Sequence, residues 1–295
     1  MKVFIHRHQN KADGLTYALQ SQGHIVTNEL PLSLALIDHD GPPYYQSMIE
    51  QLSAENIPIL LYTHGALSYV AWDGLWKAHS DIIAYLAISQ IEKTVMEFYG
   101  YPHPIHVVGW YWSSIKPSRP LTGDRVLFAP IHPLGNGFIP EPAKEANKKA
   151  FLRLLREDID LTVYYLGDLQ GQGLWTVDKV HYVKSAGVNR DDLFCQYDCV
   201  VSYGTFAYLA VASGIPTYMY AQDIPPWDGH NESEVRYAAN FDEYKHLLQY
   251  PYDLDTTEIL FEFDQPACLE EWKAQHIGQP LDPANLCNIL EQYAH

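Results

Sequence analysis

The chain has 295 residues, of which 47% are hydrophobic and 19% are charged, and this composition excludes a largely disordered protein. Its 36 acidic residues against 19 basic ones give a formal net charge of −17, which opposes tight non-specific binding to nucleic acid or to an anionic membrane surface. The chain has no long apolar run of membrane-spanning length, and its start, MKVFIHRHQN, lacks the apolar core of a signal peptide. We therefore expect a cytoplasmic protein without membrane insertion, in the host cytoplasm if the chain comes from a phage.

Strand-like and helix-like segments alternate through the first third of the chain. Parallel strands joined by crossover helices produce this alternation, so the pattern predicts a Rossmann-like sheet. The predicted strands are residues 2–6, 24–28, 34–38, 58–64, 81–89 and 104–109, and the predicted helices are residues 13–23, 44–55 and 90–100.

The alternation breaks at residues 110–124, where prolines, glycines and small polar residues predict a linker. A second set of strands and helices follows, and the chain ends in a predicted helix that Asp282 caps and that has Pro283 in its first turn. The strands of this second set are residues 125–132, 160–167, 180–184, 199–202 and 216–220, and its long helix is residues 141–157.

These patterns predict an α/β fold with two Rossmann-like domains that face a central cleft, since the length allows two domains of ordinary size. Residues 1–112 form the first domain and residues 113–270 the second. Residues 271–295 form a helical tail that we expect to pack back on the first domain.

The four cysteines are too few and too scattered for a disulfide framework. Cys195 and Cys199 are four residues apart, but Cys199 lies inside an apolar strand. A packed thiol is therefore expected at Cys199 in preference to a metal ligand.

Residues 197–220 predict one β-α-β unit, around which the second domain is organised. A strand at 199–202 leads through the turn Tyr203-Gly204 into a short apolar helix that begins at Thr205. Gly214 stops this helix before the next strand.

The turn of this unit is a candidate anion site. Ser202, Gly204 and Thr205 place small side chains and free backbone N–H groups at a helix N-terminus, where the helix dipole is positive. A nucleotide diphosphate fits such a site. An ordinary βα turn with Thr205 as the N-cap explains the same residues.

Polar residues also follow other predicted strands, and ligands of open parallel sheets bind beyond these carboxyl ends. His64 is the first candidate for a general base, because it follows an apolar strand and precedes Gly65, which allows close approach of a substrate. His132, beside the glycine-rich residues 134–138, is placed to bind phosphate or a leaving group. A helix cap or a structural turn explains either histidine as well.

His6, Arg7 and His8 follow the first strand. Arg7 can bind a phosphate in bidentate geometry. Exposed loop charge is the alternative for each of the three.

The sequence resembles the GT-B glycosyltransferases over residues 55–220. Within that superfamily it is most similar to the CDP-glycerol and polyol-phosphate transferases and their capsule-polysaccharide relatives, with UDP-N-acetylglucosamine 2-epimerases as cousins. The motifs that carry the resemblance are YTHGA at 62–66, AISQIEKTVMEFYGYPHPIHVVGW at 87–110, RVLFAPIHP at 125–133 and DCVVSYGTFAYLAVASGIPTYMY at 198–220.

The resemblance implies roles for single residues. His64, in Tyr62-Thr63-His64-Gly65, matches a Trp-His-Gly element that supplies a catalytic histidine, with Thr63 in place of Trp. Residues 129–132 are similar to the strand end that opens the second domain, and residues 202–205 to the phosphate-binding turn.

Leu209 departs from the pattern, because the polyol-phosphate transferases carry an acidic residue at this place in the helix. The missing donor contact would come from elsewhere, and Asp228 and Glu234 are the candidates that the resemblance implies. A solvated loop is the alternative for both. The departure counts against a polyol-phosphate transferase more than against the GT-B fold.

Asp38-His39-Asp40 follows an apolar strand and matches the Asp-X-Asp pattern with which glycosyltransferases of the other fold, GT-A, hold a divalent ion. Only two short predicted strands precede it, which is too few for that fold. We interpret it as a strand-end loop and expect no required metal.

We therefore expect an enzyme, a metal-independent glycosyltransferase that moves a sugar from a nucleotide-diphosphate-sugar donor to an acceptor hydroxyl. The donor is a substrate, with a UDP-linked sugar as first choice, and no cofactor is expected. The acceptor hydroxyl belongs to a glycan, to a small molecule or, less favoured by the acidic charge, to a hydroxylated DNA base. The expected residues are His64 and His132 for catalysis, Ser202, Tyr203, Gly204, Thr205, Asp228 and Glu234 for the donor, and His6, Arg7 and His8 for the acceptor.

Three alternatives stay open. A polyol-phosphate transferase would use a CDP-linked donor on the same fold. A 2-epimerase would need several carboxylates around the sugar, and the sequence shows no clear set. A GT-B-like binding protein without catalytic activity would tolerate substitution of His64.

Overall fold

The structure of the protein is a computed structural model, which describes residues 1–6, 13–40, 43–63, 79–98, 100–111, 124–131, 139, 141–155, 159–186, 188, 193–203, 205–220, 274 and 277–294. The chain divides into two compact units. Unit 1 comprises Met1–Ser113 and Lys273–His295, and unit 2 comprises Ser114–Trp272.

The strands of unit 1 are β1 Lys2–Ile5, β2 Ile25–Val26, β3 Leu34–Ile37, β4 Ile59–Tyr62, β5 Ile82–Ala87 and β6 Ile105–Val107. They form one parallel sheet in the order β2-β1-β3-β4-β5-β6. Every residue of β3 and β4 is buried. Such continuous apolar strands are typical of parallel sheets that are covered on both faces.

The crossover helices of unit 1 are α1 Asp13–Ser21, α2 Pro43–Ala54 and α3 Gln90–Phe98. In α1 the apolar residues Leu15, Ala18 and Leu19 recur at helical spacing and are buried. All strands and helices predicted in the first third of the chain are therefore present. The strands are one to three residues shorter than predicted, and α2 begins one residue earlier than predicted.

Unit 2 contains the strands β7 Arg125–Ala129, β8 Asp160–Tyr165, β9 His181–Lys184, β10 Cys199–Ser202 and β11 Thr217–Met219, and the helices α4 Glu141–Leu154 and α5 Thr205–Ala212. The strands form a parallel sheet in the order β11-β10-β7-β8-β9. Phe128 of β7 stacks on Phe151 of α4 with ring centroids 6.3 Å apart, in the centre of the apolar core. A short 3₁₀ helix, Gln170–Gln172, was not predicted.

The β-α-β unit that the sequence predicts is confirmed. Strands β10 and β11 pair in parallel, and α5 connects them. Gly214 ends the helix at a φ of 74°, a left-handed conformation that favours glycine. Cys199 is buried as a packed thiol, and burial raises its pKa.

The last helix is α6 Pro283–Glu291, and the Asp282 side chain accepts a hydrogen bond of 2.9 Å from the N–H of Ala284. This is the predicted N-cap. Helix α6 packs against α1 within unit 1.

The linker predicted at residues 110–124 starts too early, because Trp110 and Tyr111 belong to unit 1. Trp110 donates its backbone N–H to the carbonyl of Gln279 at 2.8 Å, and its own carbonyl accepts from Leu281 at 3.1 Å. Trp110 and Tyr111 are buried in unit 1. Burial of their large aromatic rings stabilises these two residues as part of unit 1, although the sequence after them is rich in prolines, glycines and small polar residues.

None of the helices in the described residues is both long enough and apolar enough to cross a membrane.

Candidate active site at the carboxyl ends of the strands

The described strands are parallel within each sheet, so the residues that follow them lie at one edge of that sheet. Four predicted site residues at these edges are described: His6, Ser202, Tyr203 and Thr205. The other predicted site residues lie outside the described residues: Arg7, His8, His64, His132, Gly204, Asp228 and Glu234.

A histidine–aspartate pair lies at the carboxyl edge of the first sheet. His6 follows β1 and Asp38 follows β3, which is the neighbouring strand. The Nδ1 atom of His6 lies 3.2 Å from Oδ1 of Asp38. Asp38 is fully buried, whereas 17% of the His6 side chain is exposed.

Tyr45 of α2 supports the same carboxylate. Its hydroxyl donates to Oδ1 of Asp38 at 2.8 Å, and its ring packs edge-on against His6 at 4.9 Å. Burial, together with the Asp38 charge, raises the pKa of Tyr45. Tyr45 therefore stays neutral near neutral pH and remains a hydrogen-bond donor to Asp38.

This arrangement suits His6 to proton transfer. A carboxylate at Nδ1 favours the tautomer that carries its proton there and leaves Nε2 with a lone pair. A carboxylate also stabilises the imidazolium that forms when Nε2 accepts a proton.

Two tyrosines bind backbone carbonyls at the same edge. Tyr62, the last residue of β4, donates to the carbonyl of His6 at 2.6 Å. Tyr111 donates to the carbonyl of Thr63 at 2.9 Å. The two rings pack edge-to-face at 6.0 Å. These bonds fix the points at which the chain leaves β1 and β4.

A buried carboxylate, Glu92 of α3, binds the side chain of Thr63. The Thr63 hydroxyl lies 2.8 and 2.9 Å from the two Glu92 oxygens. The Tyr85 hydroxyl and the N–H of Ile88 each donate to Glu92 at 2.7 Å. Burial raises the pKa of Glu92 to about 7, and the three hydrogen bonds oppose that rise.

Asp40 belongs to the Asp-X-Asp pattern and is buried after β3. Its Oδ2 atom accepts a 2.9 Å hydrogen bond from the N–H of His79. The described residues contain no group of three or more His, Cys, Asp or Glu side chains that could hold a metal ion. The expectation that no metal is required stays a prediction.

In unit 2, Ser202 is buried and its hydroxyl donates to the carbonyl of Ala129 at 2.9 Å. The hydroxyl proton of Ser202 is therefore used in a hydrogen bond that joins the end of β10 to the end of β7. Tyr203 follows, and burial raises its pKa. Thr205 is the first residue of α5. The Ser202 hydroxyl therefore has no proton available for an anion at this turn.

A buried polar cluster lies beside this turn. The N–H of Ile131 donates to Oδ1 of Asn147 at 2.9 Å and to the Tyr220 hydroxyl at 2.7 Å. Asn147 donates in turn to the carbonyls of Ile131 and Gln172, at 2.9 and 3.0 Å. The Tyr220 hydroxyl donates to Asn147 at 2.5 Å. The cluster fixes Ile131, the residue before His132.

Sequence reasoning missed Glu92, Tyr45, Asn147 and Tyr220. Two of them left a signal. Ser89 and Glu92 have the spacing of a capping box, and the Glu92 N–H donates to the Ser89 hydroxyl at 3.3 Å. Asn147 recurs at helical spacing with the buried residues Ala143, Ala150 and Phe151 of α4.

Comparison with solved structures shows similarity to the wall teichoic acid polymerase TagF, at a TM-score of 0.50 and 12% sequence identity, over 99% of this chain and 88% of that one. The spinosyn rhamnosyltransferase SpnG complexed with spinosyn aglycone has a TM-score of 0.48 and 13% identity, over 99% and 100% of the two chains. The glycosyltransferase SnogD from Streptomyces nogalater has a TM-score of 0.48 and 13% identity, over 99% and 98%. No protein-family model and no curated protein matches the chain.

The likeness to TagF, together with the two parallel sheets, shows that the chain has the GT-B fold. The predicted α/β fold class with two Rossmann-like domains is confirmed, as is the resemblance to GT-B glycosyltransferases at the level of the fold. The expected cleft and a nearer relation to the polyol-phosphate transferases stay predictions.

We predict that Asn147→Ala destabilises unit 2 by about 3 kcal/mol, because it leaves two buried carbonyls without their donor. Urea unfolding followed by circular dichroism measures this loss. Asn288→Ala, an exposed position on α6, is the control and should change the unfolding free energy by less than about 0.5 kcal/mol. Equal effects of the two substitutions would contradict the importance of the cluster.

Proposed function

We propose that the protein is a glycosyltransferase that moves a sugar from a nucleotide-diphosphate sugar to an acceptor hydroxyl. The observation that carries the proposal is the His6–Asp38 pair at the carboxyl edge of a GT-B sheet. This fold presents its ligands at such edges, and transfer to a hydroxyl requires a base there.

His6 is the base in this proposal. Its Nε2 atom takes the proton from the acceptor hydroxyl while the oxygen attacks the anomeric carbon of the donor sugar. The bond between that carbon and the diphosphate oxygen breaks, and the nucleoside diphosphate leaves with the electron pair. Asp38 stabilises the imidazolium and keeps the ring in its orientation.

We assign the role of base to His6 because Asp38 gives its ring a carboxylate partner at Nδ1. His64 keeps the role of a second catalytic histidine in contact with the reacting groups. Arg7 and His8, which follow His6, bind the acceptor, whether this is a glycan, a small molecule or a hydroxylated DNA base.

The donor lies on unit 2 in the proposal. The backbone N–H groups of residues 203–205, at the start of α5, hold the diphosphate, since a helix N-terminus carries unpaired donors and a positive dipole. His132 stabilises the leaving diphosphate, and Asp228 and Glu234 contact the sugar. A UDP-linked donor is our first choice, and the proposal includes no metal.

We predict that a nucleoside diphosphate raises the melting temperature. A panel of UDP, CDP, GDP, ADP and TDP, each with and without EDTA, tests this in a thermal-shift assay. At a hundred times its dissociation constant, the bound member should stabilise the protein by about 2.7 kcal/mol. The matching monophosphate should stabilise less, because the helix N-terminus binds the diphosphate.

A shift that EDTA leaves unchanged supports the metal-free site, and the member that gives it names the donor class. A shift that EDTA abolishes would contradict metal independence. No shift with any diphosphate would contradict the proposed donor site.

We predict that His6→Gln and Asp38→Asn each lower kcat by about 100-fold or more, which is the usual contribution of a general base and its partner. The donor KM should stay within about twofold, because both residues act on the acceptor proton. Steady-state kinetics with the donor that the thermal shift selects measures both constants.

The matched control is Asp160→Asn, which removes a second histidine–aspartate pair. His181 Nε2 and Asp160 Oδ1 lie 3.7 Å apart, and both side chains are largely exposed. They stand at the amino ends of β9 and β8, the opposite edge of the sheet from the proposed site. Unchanged kcat in Asp38→Asn, or equal loss in Asp160→Asn, would refute the role of Asp38.

A further inference from the structure

Glu92 is a buried carboxylate that the proposed reaction does not use. It is fully buried on the first turn of α3, and no described basic side chain forms an ion pair with it. A buried carboxylate without a cationic partner is costly, because the ionised form has lost its hydration. Packing alone therefore does not explain a glutamate at this position.

Glu92 reaches the chain where it leaves β4. Its two oxygens contact the hydroxyl of Thr63 at 2.8 and 2.9 Å, and Thr63 is the residue directly before His64. Tyr111 holds the carbonyl of the same Thr63 at 2.9 Å. Both the side chain and the backbone of Thr63 are thus fixed by buried hydrogen bonds.

A helix cap alone does not require these contacts. In a capping box the glutamate side chain bonds the backbone N–H of the N-cap residue, which here would be Ser89. The Glu92 carboxylate instead accepts a hydrogen bond from the N–H of Ile88. Its other hydrogen bonds are to the hydroxyls of Thr63 and Tyr85.

We propose that Glu92 is a positioning residue of the active site: its carboxylate holds Thr63, the residue that precedes the predicted catalytic His64 in the sequence. This inference rests on the proposed function, in which His64 contacts the reacting groups. A displacement of about 1 Å at a reacting group can cost 100-fold in rate, so such a support acts on kcat.

Thr63 has two acceptors within reach of its hydroxyl proton. One is the Glu92 carboxylate and the other is the carbonyl of Leu86, at 3.2 Å. When Glu92 is ionised, Thr63 donates to it. When Glu92 is protonated, the acid O–H donates to Thr63, whose proton turns to Leu86. The proton on Glu92 therefore decides how Thr63 is bonded.

Among the described residues, the titratable groups that face Glu92 are Tyr85 of β5 and Tyr111 beyond β6, and Asp38 acts on Tyr111 in turn. Burial raises the pKa of both tyrosines well above the usual range, so they stay neutral near pH 7. The pKa of Glu92 itself is raised to about 7. Of Glu92, Tyr85 and Tyr111, Glu92 is thus the group that changes charge near neutral pH.

The raised pKa also sets the sign of the effect on stability. The folded state holds the Glu92 proton more tightly than the unfolded chain does, so the stability gained from protonation is present at low pH and is lost as the pH rises through about 7. Above that pH the ionised carboxylate costs stability. If the ionised carboxylate supports the active site, its loss should raise stability and lower activity.

Glu92→Gln tests the proposal, because glutamine has the shape and the bonding of the protonated acid and cannot ionise. At pH 8 we expect a melting temperature above that of the unsubstituted protein, together with a kcat about tenfold lower and a donor KM within about twofold. At pH 5 the difference in melting temperature should be much smaller, because most of the stability that protonation provides is still present there. The rise of kcat near pH 7 that comes from ionisation of Glu92 should be absent in Glu92→Gln, whereas the pH dependence that comes from deprotonation of the general base should remain.

Thr63→Val removes the hydroxyl and should lower kcat at every pH, whereas Thr63→Ser should restore most of the activity. The matched control is Thr217→Val. Thr217 is a buried strand threonine of unit 2, and its hydroxyl bonds only the local carbonyl of Ile215 at 2.8 Å among the contacts of the described residues. It should lose stability without loss of kcat.

A second readout does not depend on transfer. With histidine labelled at ¹³Cε1, the His64 resonance, assigned by its loss in His64→Gln, should show an inflection from Glu92 near pH 7 in addition to its own titration. Glu92→Gln should remove only that inflection. Failure of every form to transfer sugar would overturn the proposed function, and the resonance would still decide the positioning role. An unchanged kcat at pH 8 and an unchanged His64 resonance in Glu92→Gln would overturn the inference.

Discussion

The parallel pairing of the strands is the constraint on which the rest of the structure depends. Parallel strands covered on both faces must be apolar throughout, as in β3 and β4, so polar chemistry is confined to the residues just beyond the strand ends. At that edge the polar groups are still largely buried, and each of them needs a hydrogen-bond partner to offset its lost hydration. A site can therefore form at this edge, but each polar group buried there must be hydrogen-bonded for the fold to be stable.

Tyrosine hydroxyls supply many of these hydrogen bonds in both units. The hydroxyls of Tyr62 and Tyr111 bind backbone carbonyls, those of Tyr45 and Tyr85 bind carboxylates, and that of Tyr220 binds Asn147 and accepts from a backbone N–H. A buried tyrosine fills the core with its ring and carries a neutral donor to the edge of the sheet. Part of the high tyrosine content of the chain, 22 residues, is thus explained by support of the strand ends.

The sequence predicts the fold better than it predicts the contacts of the site. Hydrophobic runs and their spacing located the strands, and Gly214 and Asp282 marked helix ends because their local geometry follows from residue type. The sequence pattern places Asp38 in a strand-end loop and does not indicate its bond to His6, which joins positions 32 residues apart. Such pairings depend on strand order, which periodicity along a single chain does not contain. Most predicted catalytic and donor-binding residues, His64 and His132 among them, fall outside the described residues and stay predictions.

The most direct test of the account is to identify what leaves the donor. The protein is incubated with UDP-, TDP-, GDP- and CDP-linked sugars and with CDP-glycerol, together with pools of glycan and small-molecule acceptors, and the products are followed by ³¹P NMR. Sugar transfer breaks the bond between the sugar and the diphosphate, so the account predicts that a nucleoside diphosphate accumulates and depends on the acceptor. Release of CMP from CDP-glycerol would show polyol-phosphate transfer instead. If no donor is consumed with any acceptor, the account of the protein as a glycosyltransferase is contradicted.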